Sequence, residues 1–373
     1  MAVALWPSLI RPLAIAMWDF SWLERRWPGA GYEDWDGVLG QLVERGYDAV
    51  RIDPYPHLLA VAPDREWTLL PCWNQQDWGS PARTRVTVRE PLLEFLRLCR
   101  ARGVRVGLSS WFRQDVDDVR MQIRSPRDHA AVWIQTLRVL EQAGLLDENM
   151  LYVDLCNEFP LREWAPFLPA GADGGAFRRD APEGTAWMAE AIIAVREAYP
   201  DLALCFSITS EYDTLLQQDV SFMDLLEPHL WATHFSDFYA RVGYHYEKFE
   251  TRGYENLVAN GERLYRSDPD HWARCLREGV ERIAAWSLHA GKPLVTTECW
   301  AIVDYKDWPL LDWGWVKELC AVGVDAAVAT GRWAAMATSN FCGPQFVGMW
   351  RDVGWHRRLT DRIHRGRFPA AAG

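Results

Sequence analysis

Long hydrophobic runs are missing from this chain of 373 residues. No stretch of about 18 uninterrupted apolar residues occurs, so no membrane-spanning helix and no membrane partner are expected. Basic charge is also in short supply: 40 Lys and Arg stand against 51 Asp and Glu, a formal net charge of −11. A nucleic-acid partner needs a basic face, so none is expected. Lysine itself occurs only at Lys248, Lys292, Lys306 and Lys317, to which we attach no function. The eight cysteines show neither CxxC nor zinc-finger spacing and mostly sit in apolar segments. Buried free thiols in a reducing cytoplasm are the simplest reading, with no metal and no cofactor expected. The opening "MAVALWPSLIRPLAIAMWDF" lacks a basic start and is broken by Pro7, Arg11 and Pro12. It reads as the lead-in to a first strand and not as a signal peptide. There is no repeat and no low-complexity linker, so residues 1–373 are expected to form one domain.

What is present in excess is tryptophan, with 22 residues. Several lie in loop-like contexts: Trp18, Trp22, Trp27, Trp73, Trp78, Trp111, Trp300, Trp308 and Trp350. A broad apolar face with one polar N–H suits sugar rings, which have an apolar C–H side and a polar rim. Hydrophobic residues make up 49% of the chain, enough apolar mass for a large core.

Short apolar runs alternate with helix-period segments. The runs are 13–18, 48–53, 104–111, 151–156, 203–208, 229–235, 293–298 and 333–339. Helices are expected near 33–45, 91–102, 127–143, 185–198, 221–227 (short), 271–289, 312–330 and 355–365, several closed by Gly or Pro. Strands alternating with helices imply parallel pairing through right-handed crossovers. Eight such units predict an α/β fold closed as a (β/α)8 TIM barrel. The runner-up, an open doubly wound sheet, lacks its glycine-rich turn after the first strand. Two connections exceed ordinary barrel loops. Residues 54–89 contain a probable hairpin, "EWTLL" with "TRVTV", and residues 236–270 are rich in Tyr, Phe and charge. Both follow strands, which places them on the C-terminal face where barrel enzymes work.

Polar and aromatic residues cluster where the expected strands end. They are Trp18 and Asp19; Arg51, Asp53, Tyr55 and His57; Ser109, Ser110 and Trp111; Asn157 and Glu158; Ser210 and Glu211; His234, Asp237 and Tyr239; Glu298 and Trp300; Ser339 and Asn340. Glu158 and Glu298 stand out. Strands 4 and 7 of a barrel face each other across its mouth, so two carboxyls there can flank a bound bond. Glycoside hydrolysis uses such a pair: one acid for the leaving oxygen, and a second carboxylate as nucleophile or as base for a water.

The Asn-Glu that ends strand 4, "VDLCNEFP", and the lone Glu that ends strand 7, "LVTTECW", resemble those of the clan-A glycoside hydrolases, in particular the cellulase-like group. "GYDAVRIDPYP" is similar to their second strand and "WATHF" to their sixth. The resemblance spans residues 13–355. It implies a retaining mechanism with Glu158 as acid/base and Glu298 as nucleophile. It also implies that Asn157 binds the sugar 2-hydroxyl, that Arg51 bonds Glu298 and keeps it ionised, and that His234 lines the subsite. At strand 8 many relatives carry a Trp floor, whereas this chain has Ser339 and Asn340, so Trp300 or Trp350 would have to supply the platform. The expected substrate-binding set is Trp18, Asp19, Arg51, Asp53, His57, Trp111, Asn157, His234, Tyr239, Trp300 and Asn340. Burial and the charge of Glu298 are expected to raise the pKa of Glu158.

The expected partner is a carbohydrate, a soluble oligosaccharide or glycoside, processed in the cytoplasm in a pocket that favours terminal units. Two other readings stay open. One is a metal-dependent barrel isomerase or hydrolase with Glu158, His234 and Glu298 as ligands. The other is a non-catalytic sugar-binding barrel. Sugar identity, linkage and oligomeric state are not legible.

Overall fold

A computed structural model describes residues 9–73, 77–245, 251–307 and 310–368. The start of the N-terminal lead-in, Trp308 and parts of both long connections lie outside these residues. Eleven strands are present among them: β1 (Leu13–Asp19), β2 (Ala49–Ile52), β3 (Trp67–Leu69), β4 (Thr84–Val86), β5 (Arg105–Ser109), β6 (Met150–Asp154), β7 (Leu204–Cys205), β8 (Leu230–Trp231), β9 (Leu294–Thr296), β10 (Cys299–Trp300) and β11 (Trp333–Met336). Seven form one parallel sheet in the order β7-β6-β5-β2-β1-β11-β9. β8 pairs with β10 in parallel.

The barrel closes through the segment just before β8. Leu226 bridges Leu294 of β9, and Pro228 bridges Ile208 beyond β7. The main-chain N–H of Ile208 donates to Glu227 and that of His229 back to Ile208, while Val295 donates to Leu226. Eight staves therefore run round the ring, with β9 and β10 as successive parts of the seventh. The inner strands are apolar almost throughout. All seven residues of "LAIAMWD" in β1 are buried, as a parallel strand covered on both faces requires.

Helices fill the crossovers where the apolar period indicated them, and their starts are chemical. Asp34 caps Trp35–Glu44 by accepting from Gly37 N, Ser125 caps Pro126–Gln142 by accepting from Asp128 N, and Asp268 caps Pro269–Ala290 by accepting from His271 N. Each supplies an acceptor to a main-chain N–H that the helix leaves unpaired. No helix among the described residues is long and apolar enough to cross a membrane.

Two expectations fail around the sixth stave. The short helix near 221–227 does not form, because Asp224 takes Leu204 N with its carboxylate and Leu226 is drawn into the sheet. The strand read over 229–235 ends at Trp231, and Ala232–His234 is a 3-10 turn. The hairpin read in 54–89 is present, with β3 antiparallel to β4 and Trp67 opposite Val86. The connection 236–270 is partly helical: Phe238–Val242 is one helix, and Thr251–Asn256 and Glu262–Ser267 are joined through a π-helical turn at Leu257–Gly261.

Candidate active site

The site is assembled around Arg51 on β2, whose side chain is entirely buried. Nη2 donates to Asp154 Oδ2 at 2.8 Å, Asn157 Oδ1 at 2.7 Å and Ser109 Oγ at 2.8 Å. Nη1 donates to Thr297 Oγ1 at 3.1 Å and Glu298 Oε1 at 3.2 Å. Nε lies 3.2 Å from Glu227 Oε1, and the guanidinium stands 4.6 Å from the ring centre of Trp111. Burial works against this charge, but Glu227, Tyr152, Asp154 and Glu298 outweigh it, so Arg51 stays a cation.

Above Arg51 three groups converge. His229 Nδ1 is 3.1 Å from Glu158 Oε1 and 3.5 Å from Glu298 Oε1. One atom from each of Glu158, His229 and Glu298 lies within 4.8 Å of the others, and all three residues are buried. Burial disfavours a charged imidazole at His229, yet Glu298, then Glu158 and Glu227, lift its pKa to about 10. The Glu298 carboxyl is pushed up to about 7, first by burial and then by the charges of Glu158 and Glu227, with His229 and Arg51 pulling the other way. At Glu158 burial also pushes upward, but the His229 hydrogen bond and charge, followed by the indole N–H of Trp164 at 3.4 Å, bring its carboxyl below the usual value. These directions reverse the sequence expectation, in which Glu158 was raised and Arg51 kept Glu298 ionised. At Glu158 the reason is His229, a cation that the sequence reading did not place there; at Glu298 burial and the charge of Glu158 outweigh both Arg51 and His229.

Glu158 and Glu298 open into a cavity of about 390 Å³. Trp73, Trp78, Leu161, Glu163, Thr209, Ser210, Trp231, His234, Val303, Asp304 and Asn340 complete its wall. Of the expected binding residues, His234 and Asn340 line it. His234 accepts from or donates to Tyr212 Oη at 3.2 Å, and burial pulls its pKa down to about 4, so it is neutral. Asn340 spends Nδ2 on Val303 O at 2.8 Å, and its buried Oδ1 has no partner among the described residues. Asn157 sits beneath, with Oδ1 on Arg51 and Nδ2 likewise unpartnered.

The other expected contacts are not brought to the cavity wall. Trp18 points into the core, donates to Cys342 O at 3.0 Å and packs on Tyr32 and Phe95. Asp19 turns back on Ser21 N, and burial raises its carboxyl to about 8. Asp53 accepts from Tyr55 N and Trp111 N. His57 bonds Arg113 O and meets the Phe112 ring. Trp111 is buried behind Arg51. Tyr239 Oη accepts from Val303 N and Asp304 N. Trp300 is buried with its N–H on Ala337 O and its ring against Gly323. Trp350, the other platform considered, donates to Gln41 and is covered by Arg45. Platform-like indoles at the cavity come instead from Trp231 on β8 and from Trp73 and Trp78 beyond β3.

Glu227, His229 and Trp231 were missed by the sequence reading. Their spacing of two puts them on one face of an extended segment, but a strand carried on to 235 directed attention to His234. Glu227 accepts from Thr297 Oγ1 at 2.8 Å and Tyr152 Oη at 3.0 Å. Among the described residues, the group that could hold a metal ion is Glu158, His229 and Glu298, with His229 in the place the sequence reading gave to His234. An ion there would have to displace the proton that His229 holds and tolerate the Arg51 charge beside Glu298.

The family described as sugar-binding cellulase-like matches residues 15–364. A candidate glycoside hydrolase from Parabacteroides distasonis is 49% identical over 97% of this chain and 96% of its own, with a TM-score of 0.93. More distant barrels share the fold alone. An endo-β-1,4-mannanase from Thermotoga petrophila is 10% identical, with a TM-score of 0.56 over 98% of this chain and 79% of its own. GH5_18 from Streptomyces cattleya, in complex with GlcNAc, is 13% identical, with a TM-score of 0.52 over 96% of this chain and 81% of its own. No curated protein matches the chain.

Proposed function

The chain belongs to the sugar-binding cellulase-like family, and we propose that it is a retaining glycoside hydrolase with Glu158 as acid/base and Glu298 as nucleophile. The observation that carries this reading is the approach of the two carboxyls, with an oxygen of each inside 4.8 Å. Retaining pairs stand about 5–5.5 Å apart, whereas inverting pairs need about 6.5–9.5 Å to admit a water. Glu298 attacks the anomeric carbon while Glu158 protonates the leaving oxygen. Water then takes the sugar from Glu298, with Glu158 as base. The first step uses one proton on the pair, and with Glu298 pushed up to about 7 and Glu158 held down, neutral pH is where the pair comes to share one. His229, within reach of both carboxyls, decides by its hydrogen bond which of them carries that proton. A leaving-group oxygen lodged against Glu158 favours the neutral form there.

The substrate we infer is a soluble, uncharged glycoside or oligosaccharide, cut at a terminal unit. The carboxyl groups of Glu158, Glu163, Glu298 and Asp304 line the cavity among the described residues and no Lys or Arg does, a lining that disfavours an anionic sugar. Asp77 beyond β3 accepts from Asp307 N beyond β10 at 2.8 Å, which ties two loops over one side of the mouth. That supports a pocket, one domain and terminal cleavage. Eight free cysteines support a cytoplasmic setting.

A panel of 4-nitrophenyl glycosides tests the proposal. Wild type is expected to release nitrophenol from at least one sugar, and Glu298→Ala to lose several orders of magnitude. Sugar binding without turnover by wild type would favour the non-catalytic reading. Activity lost to a chelator and regained with zinc would favour the metal reading, which the Glu158–His229–Glu298 grouping keeps in play.

A further inference from the structure

Arg179 is a buried cation that the chemistry above does not use. Its residue exposure is 0%, and among the described residues it forms no ion pair. The guanidinium is spent on oxygens instead. Nη1 donates to Ser207 O at 2.8 Å and Phe159 O at 3.3 Å, Nη2 to Phe206 O at 3.0 Å, and Nε to Gln218 Oε1 at 2.9 Å. Burial pulls its pKa down only to about 10, so it is charged at neutral pH. A buried charge is tolerated when its hydrogen bonds are satisfied, and here three main-chain carbonyls and a carboxamide satisfy it.

Those carbonyls have a shared location. Phe159 follows Glu158 directly, and Phe206 and Ser207 continue the fifth stave beside it. Ser207 Oγ accepts the main-chain N–H of Glu158 at 2.7 Å, and Ser207 N donates to Asp154 Oδ1 at 2.8 Å. Glu158 has φ of 48°, a left-handed conformation that a glutamate holds only when its surroundings fix it. The clamp is itself delivered by close packing. A Cβ at Gly184, in the helix Pro182–Ala198, would lie 2.0 Å from Arg178 O and 3.0 Å from Arg179 Cα.

We propose that Arg179 is a positioning residue for Glu158. By gripping the ends of the fourth and fifth staves it holds Ser207 under the Glu158 main chain and keeps that carboxyl aimed at the leaving oxygen. This inference rests on the reading of Glu158 as acid/base. A lysine would keep the charge but not the planar fork that spans carbonyls from two chain segments. A displacement of about 1 Å at a catalytic group costs about 10²-fold in rate.

The test uses Arg179→Lys and Ser207→Ala in the full chain, with Glu158→Gln as reference, on the 2,4-dinitrophenyl and phenyl glycosides of the sugar that the panel selects. Both variants are expected to lose about 10²-fold in kcat/KM on the phenyl glycoside, whose poor leaving group needs the acid. On the dinitrophenyl glycoside kcat/KM should hold while kcat and KM fall together, because removal of the sugar from Glu298 then lacks its base, and azide should restore kcat. A purely structural role would lower both substrates in proportion to the folded fraction. Arg179→Lys that fails to fold leaves Ser207→Ala to decide. Equal losses on both substrates, or none, beside a leaving-group-dependent Glu158→Gln would overturn the positioning role. A Glu158→Gln without leaving-group dependence would instead remove the acid/base reading beneath it.

Discussion

Glu158 and Glu298 are the same amino acid at the ends of facing staves, and their neighbours make them different. Arg51 touches only Glu298 of the two, while His229 sits nearer Glu158, 3.1 Å against 3.5 Å. If Glu298 is the nucleophile, Glu298→Ala should keep its fold, lose several orders of magnitude in turnover, and regain part of it with azide. The rescued product should have inverted configuration, which NMR of the azido sugar checks. His229→Gln removes a cation that favours ionised carboxyls at both sites, so both carboxyl pKa values should rise and the kcat/KM profile should move to higher pH. A profile that stays put would take His229 out of the proton balance. The two glutamates and Asn157 were legible because they close apolar runs with polar side chains, and Arg51 because a charged residue stands inside the apolar second strand. His229 and Trp231 were not, because a run of apolar and aromatic residues does not say where its strand stops.

Elements were legible in proportion to their local chemistry. Periodic apolar faces and closing Gly or Pro residues marked the long helices to within a few residues. The sixth stave was not marked, because its pairing is set by neighbours far away in sequence: Leu226 bridges Leu294, and Leu230 lies in register with Cys299. Trp300 shows the same limit. Read as a sugar platform, it is a packing anchor between β10 and the helix Gly314–Thr330, with its ring atoms 2.5–2.6 Å from where a Cβ on Gly323 would stand. Gly323→Ala should therefore destabilise the fold by about 1–3 kcal/mol through overpacking, beyond the roughly 1 kcal/mol that alanine favours a helix. A fall in Tm is expected, together with weakened activity because Glu298 lies two residues away. A raised Tm would mean that the indole gives way cheaply.

Over the whole molecule, a charged network fills the barrel mouth and couples stability to pH. The raised groups all lose stability in the same direction. His229, at about 10 in the fold against 6.5 for an unperturbed histidine, contributes fully below 6.5 and is lost as pH rises through 10. Glu298 at about 7 and Asp19 at about 8 are already losing theirs above their ordinary carboxyl values, and finish doing so as pH passes 7 and 8. Tm should therefore fall steadily from pH 6.5 to 10 in a fluorescence melt, and less steeply in His229→Gln. A flat profile would show that these groups are not held as the network implies. Fold class was the most legible level of all, since alternating strands and helices leave few closed solutions. The mouth was the least legible: Trp73 and Trp78 stood out only among many loop-like tryptophans and Asp304 not at all, because they arrive on loops whose paths follow no period. The central claim is that two carboxyls with oxygens inside 4.8 Å work by double displacement. Proton NMR of the sugar first released by wild-type protein tests it most directly. The account predicts that the substrate's own anomer appears first and then mutarotates, and the opposite anomer appearing first would contradict it, making Glu298 a base for water and not a nucleophile.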